Sequence, residues 1–587
     1  MVRVVAQDPL KYVLYIDLTK KSFWVEDRSD LFDKWIGGVG VATQLLREEL
    51  KRDADPLSPE NVIVFAVGPF TGIFPIASKT VAMFKSPLTG NLGESHAGGR
   101  SAIAIRLAGY GAIVIKGASN KPVYIAIYGN NKVAIKDAST LWGMRSSITV
   151  GRVIAEHEPG AGYRSIMRIG KGGERLVYYS SVITETLRHF GRLGLGAVFG
   201  SKKLKAIFIS GKRDLPIKNK KLYREIYEKI FRMMVQSDLM KKYHDIGTSV
   251  NVLPLNDLGA LPTKNLLQNR FEAAENICGE HFAKNLLGRR VACSHCPIGC
   301  IHLAALREPY VDEPYFYKTT FISYDYEPIY ALGSMLGIGD AEDLLRIIDF
   351  VEINGLDAMS TGVVLAWATE AYQRGIINKN DVLVDLDWGK AENYLKAINY
   401  IVAQPNEFYK DLAKGVYHAS RKYGGLEFAL SFGKNEMPGY HTGPAAYIGY
   451  MIGARHSHLD NAGYSYDQKN LGEELEPGKV VKDLVKEEAW RQILNSLVIC
   501  LFARGVFKQN IVKEAFKALG REYSENDLIE LGNRIYKEKY KLKMELGFKI
   551  SELEMPKRIF EIPTPHGKIS KRFIEKAIKV FKTIFQK

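Results

Sequence analysis

Only five cysteines occur in the 587 residues, far too few for a disulfide scaffold. No window approaches the roughly 18 uncharged apolar residues of a membrane span. The stretch Met1 to Lys21 alternates charged and apolar side chains and lacks the apolar core of a secretory signal. These absences predict a cytoplasmic protein in a reducing compartment. There is no repeat of solenoid period and no low-complexity tract. A basic arm or known nucleic-acid module is also missing, although the formal net charge is +16. Lys and Arg are spread along the whole chain, which argues against a nucleic-acid partner. A positive field instead steers anionic ligands and acidic proteins, small acidic electron carriers among them. The abundance of Lys and Glu also suits the solvated surface of a protein from a hot environment.

What is present is ordinary globular material, 46% hydrophobic and 25% charged. The length calls for about two to four domains. From Tyr12 to about Ser210, short β-branched runs are punctuated by Gly and Pro, as at Val62 to Val67, Ala112 to Ile115, Val123 to Ile127 and Ala206 to Ile209. Such runs predict strands. The charged stretch Gly211 to Lys221, with Pro216, marks a boundary. Beyond it, Tyr223 to Val235, Ala341 to Val351, Val363 to Tyr372 and Tyr394 to Ala403 carry apolar residues three and four apart, the period of a helix. The predicted fold is therefore α/β (α+β), with a β-rich base over residues 1–212 and two mainly helical units, 213–420 and 421–587. Ile569 to Lys587 forms an amphipathic helix with a basic face, expected to pack on its own domain.

Cys293-Ser-His-Cys296-Pro-Ile-Gly-Cys300 places three thiols within eight residues. Thiolates at these spacings can wrap one inorganic cube, with Pro297 and Gly299 shaping the backbone. A 4Fe-4S cube needs a fourth ligand, and Cys500 is the candidate, whereas Cys278 reads as a plain thiol. Structural zinc is the competing reading, but zinc usually takes a second paired motif, and Cys500 stands alone.

Several segments, taken in order, resemble the aldehyde:ferredoxin oxidoreductase family. They include Gly68–Gly72, Lys85-Ser-Pro-Leu-Thr-Gly90, Ala97-Gly98-Gly99, Ala108–Ala112, Gly191–Gly200 and Gly259–Asn265. The cysteine motif and Asn354-Gly-Leu-Asp357 followed by Ser360-Thr-Gly362 continue the series, which runs from about residue 12 to 510. The resemblance implies a β base on which tungsten (or molybdenum) sits between two pyranopterins, with helical domains closing over it and one 4Fe-4S cluster passing electrons to ferredoxin or a polyferredoxin-like subunit. Glycines such as Gly98, Gly99 and Gly191 permit close backbone approach to a bulky ligand.

By the same resemblance, Lys79 and His96 take the positions that contact the pterin phosphates and a bridging Mg2+, where the family has Arg and Asn. Arg188 and His189, with Arg192 nearby, match a second phosphate contact. Two pterin-binding motifs correspond to Glu352-Ile-Asn-Gly355-Leu356-Asp357 and to Asn495-Ser-Leu-Val-Ile499-Cys500, the second having lost its carboxylate. A glutamate that binds an inter-subunit iron in founding members corresponds to Arg346, so that iron and its dimer are not expected.

Glu327 falls where the family places a carboxylate beside the metal, and burial would raise its pKa and fit it as a general base. Glu436-Met-Pro-Gly-Tyr440-His441 and Arg455-His456-Ser-His458 resemble the family's tyrosine and histidine segments. They nominate Tyr440 as a hydrogen-bond donor and His458, or else His456, as the substrate-facing imidazole. Arg455 suggests a basic pocket that favours an anionic substrate. The leading expectation is oxidation of an aldehyde to a carboxylate. The alternatives are a small anion such as an aliphatic sulfonate, acyl-CoA ring reduction, and an iron-sulfur electron-transfer or scaffold subunit without catalysis.

Overall fold

A computed structural model describes residues 8–185, 187–313 and 315–585. Among these, the first 211 residues build two six-stranded sheets. The first sheet uses β1 (Tyr12–Asp17), β2 (Ser22–Asp27), β3 (Ile63–Ala66), β4 (Thr80–Lys85), β5 (Leu92–Ala97) and β6 (Ala112–Lys116), in the order β2-β1-β6-β3-β4-β5. The second uses β7 (Val123–Ile127), β8 (Val133–Asp137), β9 (Tyr163–Arg168), β10 (Val182–Ile183), β11 (His189–Phe190) and β12 (Leu204–Gly211), in the order β11-β10-β9-β12-β7-β8. β3 and β12 are buried along their whole lengths, as expected of continuous Val, Ile, Phe and Ala runs covered on both faces. β4 and β5 form a hairpin in which Thr80 pairs with Ala97. The next residues outward, Lys79 and Gly98, therefore face one another at the end of the sheet.

The remainder is mainly helical, and the helical periods read from sequence correspond to Lys220–Val235, Ala341–Asn354, Ala358–Gln373 and Ala391–Ala403. A three-stranded sheet interrupts it, made of β13 (Leu287–Val291), β14 (Ile301–Pro309) and β15 (Tyr317–Tyr324). The sequence reading of this stretch had no strands. Pairing of Val291 with Ile301 closes the cysteine motif into a loop, and pairing of His302 with Tyr324 delivers the chain to Glu327. One small sheet thus anchors both.

The helix Lys571–Phe585 packs on its own chain, burying Ile574, Ala577 and Phe581, and Phe585 stacks on Tyr540 with ring centroids 4.4 Å apart. Residues 586 and 587 of the predicted amphipathic segment lie outside the described residues. No helix among the described residues is long and apolar enough to cross a membrane.

The helical layers also enclose an ion pair. Glu370, buried in Ala358–Gln373, accepts from Arg558 at 2.5 Å and from Asn265 at 2.7 Å. Removing one partner of such a pair strands the other charge away from water. Glu370→Ala is expected to destabilise the fold by about 3–5 kcal/mol in chemical denaturation.

Candidate active site

The site forms where the ends of the two sheets meet the helical layers. Its first part is the cysteine loop. Cys293, Cys296, Cys300 and Cys500 are all partly buried and lie in each other's electrostatic field, although 200 residues separate the last two. A single strap of backbone holds them. The Ile76 amide donates to the His295 carbonyl at 2.9 Å, and the Cys500 amide donates to the Ile76 carbonyl at 3.2 Å. The Lys79 amide donates to Val498 at 3.1 Å, and the Ser294 amide donates to Gly99 at 3.0 Å. Ile76, His295 and Val498 all have positive φ, at 63°, 57° and 55°. For the β-branched Ile76 and Val498 this is strained backbone, held in place by the surrounding structure.

Among the described residues no three His, Cys, Asp or Glu side chains converge as ligands of one metal ion. A cube carries each thiolate on a separate iron, so its ligands need not converge on one point. The donors suit such a group, being four thiols with the cations Lys79 and Arg188 beside them to offset its negative charge. A Cβ on Gly98 would stand 2.8 Å from Cys293 Sγ and 3.5 Å from Lys79 Nζ, so only glycine leaves room. Gly98→Ala is expected to lower the iron content of the purified protein while far-UV circular dichroism stays unchanged. Cys278 lies apart, buried, with its Sγ against the Glu275 carbonyl at 3.1 Å.

Beside the thiols opens a cavity of about 350 Å³, onto which Cys300 and Cys500 look. Lys79, His96, Gly98, Arg188, His189, Gly191 and Arg192 line one wall, and Glu352, Leu356, Asp357, Asn495 and Ile499 line another. Glu352 and Asp357 flank Gly355, whose φ of +69° ends the helix Ala341–Asn354. Gly355 and Gly99 shape backbone behind the wall and do not line it. His189 donates to Glu352 at 2.8 Å. Asp357 caps the helix Ala358–Gln373 and takes Arg192 Nε at 3.2 Å, so its carboxylate is largely engaged. Arg188 Nε and Arg192 Nη1 are buried there without a hydrogen-bond partner. Buried guanidinium donors left open in a cavity are what a phosphate-bearing cofactor satisfies. His96 Nε2 is bonded to Glu94 at 2.8 Å, and burial drives its pKa down to about 4. It is therefore neutral, with Nδ1 as its remaining ligand atom.

The third part is the reaction end. Glu327 Oε1 accepts from Tyr440 Oη at 3.1 Å and lies 3.1 Å from His458 Nε2. Tyr440 stacks on Tyr464 with centroids 4.2 Å apart, which fixes the phenol. His458 Nδ1 is buried without a partner. Burial pushes the Glu327 carboxyl up, but the His458 and Tyr440 hydrogen bonds outweigh it and hold the group below its ordinary value. This corrects the expectation from burial alone. The raised carboxyl is its neighbour Asp325, pushed up to about 6 by burial and then by the charge of Glu327.

Three other candidates are not brought to this point. His456 is buried with φ +55°, its Nδ1 on the Tyr450 carbonyl at 2.8 Å and its Nε2 on Lys543 at 2.7 Å, and it does not line the cavity. His441 faces Tyr447 and the carbonyls of Ile562 and Pro563. Arg455 does line the cavity, but its charge is taken up by Asp460 at 2.6 Å and Glu94 at 3.6 Å, so this arginine is not a free cation there. Sequence reasoning missed Glu94, Asp325 and Tyr464. Glu94 had a signal, since it lies two residues before His96 on β5 and so on the same face.

Residues 13–211 match the family described as aldehyde ferredoxin oxidoreductase, N-terminal domain, and residues 225–585 match aldehyde ferredoxin oxidoreductase, domains 2 and 3. The chain is 33% identical over 575 residues to a tungsten-containing aldehyde ferredoxin oxidoreductase of Thermococcus kodakarensis, covering 94% of this chain and 92% of that protein. It is 32% identical over 436 residues to the WOR-like subunit of an aliphatic sulfonate oxidoreductase of Pyrococcus furiosus, covering 70% of this chain and 66% of that one. Among solved structures, the active site complex BamBC of benzoyl coenzyme A reductase superposes with a TM-score of 0.82 over 98% of this chain and 94% of that chain. At 20% identity, that likeness is one of fold.

Proposed function

This chain belongs to the aldehyde ferredoxin oxidoreductase family, and from that premise we propose that it oxidises an aldehyde to a carboxylate and hands the electrons to a ferredoxin or a polyferredoxin-like subunit. The reading rests chiefly on one observation, the Tyr440–Glu327–His458 constellation at the end of a cavity that also meets Cys300 and Cys500. Lys79, Arg188 and Arg192 would hold the phosphates of a tungstopterin, with His96 Nδ1 toward a magnesium ion, and Cys293, Cys296, Cys300 and Cys500 would hold a 4Fe-4S cluster. Bound there, these groups supply a two-electron acceptor and a one-electron outlet. Glu327, ionised, can take a proton from a water attacking the carbonyl carbon. Tyr440 and His458 orient that carboxylate, and the stacked Tyr464 keeps the phenol in line. The net charge of +16 suits an acidic electron-carrying partner.

The sulfonate reading has the Pyrococcus furiosus relative behind it. Against it stands the pairing of Arg455 with Asp460 and Glu94, which leaves that arginine little charge to offer an anion. The test is metal, sulfide and pterin analysis of the purified protein, followed by dye-linked assays with aldehydes and with alkyl sulfonates. Tungsten, about four irons per chain and turnover of aldehydes alone are expected. A colourless protein without sulfide would end the reading, and turnover of sulfonates alone would replace the substrate class.

A further inference from the structure

Along β14 and β15 successive side chains alternate between two faces. On one face Ala304, Leu306, Ile322 and Tyr324 are buried, and Glu308 is tied to Arg346 at 3.0 Å and to Lys318 at 3.3 Å. An antiparallel sheet with one side covered is expected to turn polar residues outward on the other. Here Phe321 and Tyr317 stand exposed on that outer face, paired across the strands with Ala305 and Pro309. The segment joining the two strands adds Tyr310, Val311, Tyr315 and Phe316, with Val311 97%, Tyr315 93% and Phe316 64% exposed. The Tyr310 amide donates to the Phe316 carbonyl at 2.9 Å, which keeps these side chains on one projecting tip. Among the described residues no strand pairs with the outer edge of β15. Exposed aromatic surface beside an open strand edge is either a binding surface or an aggregation hazard.

The root of the same sheet is the cysteine loop, because β13 ends two residues before Cys293 and β14 starts directly after Cys300. Two arginines lie on the outer face between tip and root. Arg307, opposite Thr319, sits over the Tyr317 ring at 5.3 Å, and Arg289 lies opposite Leu303. Both are exposed, and among the described residues neither makes an ion pair. Ser323 shares the row of Leu303 and accepts from Arg188 at 2.9 Å, and Arg188 stands in the field of Cys300 and Cys293. One continuous face therefore runs from Tyr317 through Phe321 and Ser323 to the thiols. The tip's own carboxylates, Asp312 and Glu313, lie beyond the last strand pair, Pro309 with Tyr317, so the arginines hold the part nearer the thiols.

We propose that this face, with Tyr315 and Phe316 at its tip and Arg307 and Arg289 toward its root, is the docking surface for a small acidic iron-sulfur protein of the ferredoxin class. The proposal rests on the electron-transfer reading above and gives it a place on the molecule. A partner seated on the sheet lies against the loop whose thiols would hold the electron outlet, and electron transfer needs that closeness. Unpaired arginines complement an acidic surface and fix how it approaches. A second copy would bring the same arginines and another +16 of charge to the same face. Tyr, Phe and Arg are also the side chains enriched at the centres of protein interfaces, where Tyr and Arg carry much of the binding energy.

The test uses the metal-loaded enzyme, a purified acidic two-cluster ferredoxin and two variants, Tyr315→Ser combined with Phe316→Ser, and Arg307→Glu. All three side chains are exposed, so the fold and the dye-linked rate with aldehydes are expected to match the wild type. Binding of the ferredoxin, read by surface plasmon resonance without turnover, should weaken about tenfold or more in each variant, and the KM for ferredoxin should rise in step. Arg307→Glu should also lose part of the salt dependence of binding. Wild-type affinity in both variants overturns the docking surface. It is overturned as well if the double variant keeps its ferredoxin affinity but loses self-association, or retention on anionic phospholipid vesicles, that the wild type shows. Wild-type enzyme that binds ferredoxin through this face yet oxidises no aldehyde with a dye would count against the substrate proposed above and in favour of the docking surface.

Discussion

Cys500→Ala is expected to be purified with most of its iron and acid-labile sulfide gone. Dye-linked turnover should fall by more than about 100-fold, since losing a residue that merely orients a metal ligand already costs about 10- to 100-fold. The expectation follows from the backbone and not from the thiol alone. Cys500 reaches the cysteine loop because its amide is bonded to Ile76, whose own amide is bonded to His295 inside that loop. The strain at Ile76 and Val498 is borne to bring the two segments together. Three thiols alone would leave a 4Fe-4S cube one protein ligand short. Cys278→Ala is the control. Its thiol is held at the Glu275 carbonyl, and iron content and rate should stay as in the wild type. Full iron and sulfide in Cys500→Ala would show that the fourth corner is filled otherwise.

How much of this could be read from the chain depends on whether the signal is local. The strands at Val123–Ile127 and Ala112–Lys116 and the helix Ala391–Ala403 were legible because each is a run whose period matches its burial. The cysteine loop was legible because three thiols share eight residues. β14 was not, since Ile301–Pro309 has little β-branching, and its pairing with Thr319 to Phe321 across a turn is a long-range fact. The choice between His456 and His458 turned on conformation. His456 sits at φ +55°, and Ser457 then caps the short helix His458–Asn461, which turns the second imidazole toward Glu327 and leaves the first facing Lys543. Two histidines with one residue between them carry no mark of that reversal in sequence. The same holds for Arg455, whose charge is real but is spent on Asp460, five residues on, and on Glu94, which lies in another domain's sheet. Position along the chain identified the groups, and only packing could say which of them remain available to a substrate.

Glu327→Gln is expected to lower kcat by about 10²- to 10⁴-fold, the usual worth of a positioned general base, with little change in KM. The amide oxygen can still accept from Tyr440 and His458, so the fold should survive. The pH behaviour separates a base from a mere spacer. Because the carboxyl of Glu327 is held below its ordinary value by His458 and Tyr440, the group is ionised throughout the neutral range, and the wild-type rate should not decline until pH falls below that ordinary value. The same shift adds stability that is present above the unfolded pKa and is lost as pH falls through the folded one. In Glu327→Gln both dependences should disappear, so that its Tm lies below wild type at neutral pH and converges with it in acid. Asp325 provides an internal check. Its carboxyl is held near 6 partly by the charge of Glu327, and removing that charge should let it titrate at lower pH, moving any limb near 6 in the residual rate toward acid. If Glu327→Gln kept the wild-type kcat, proton abstraction would have to be assigned elsewhere in the cavity, and Asp325, a cavity-lining carboxylate 3.5 Å from Arg188, would be the first residue to examine.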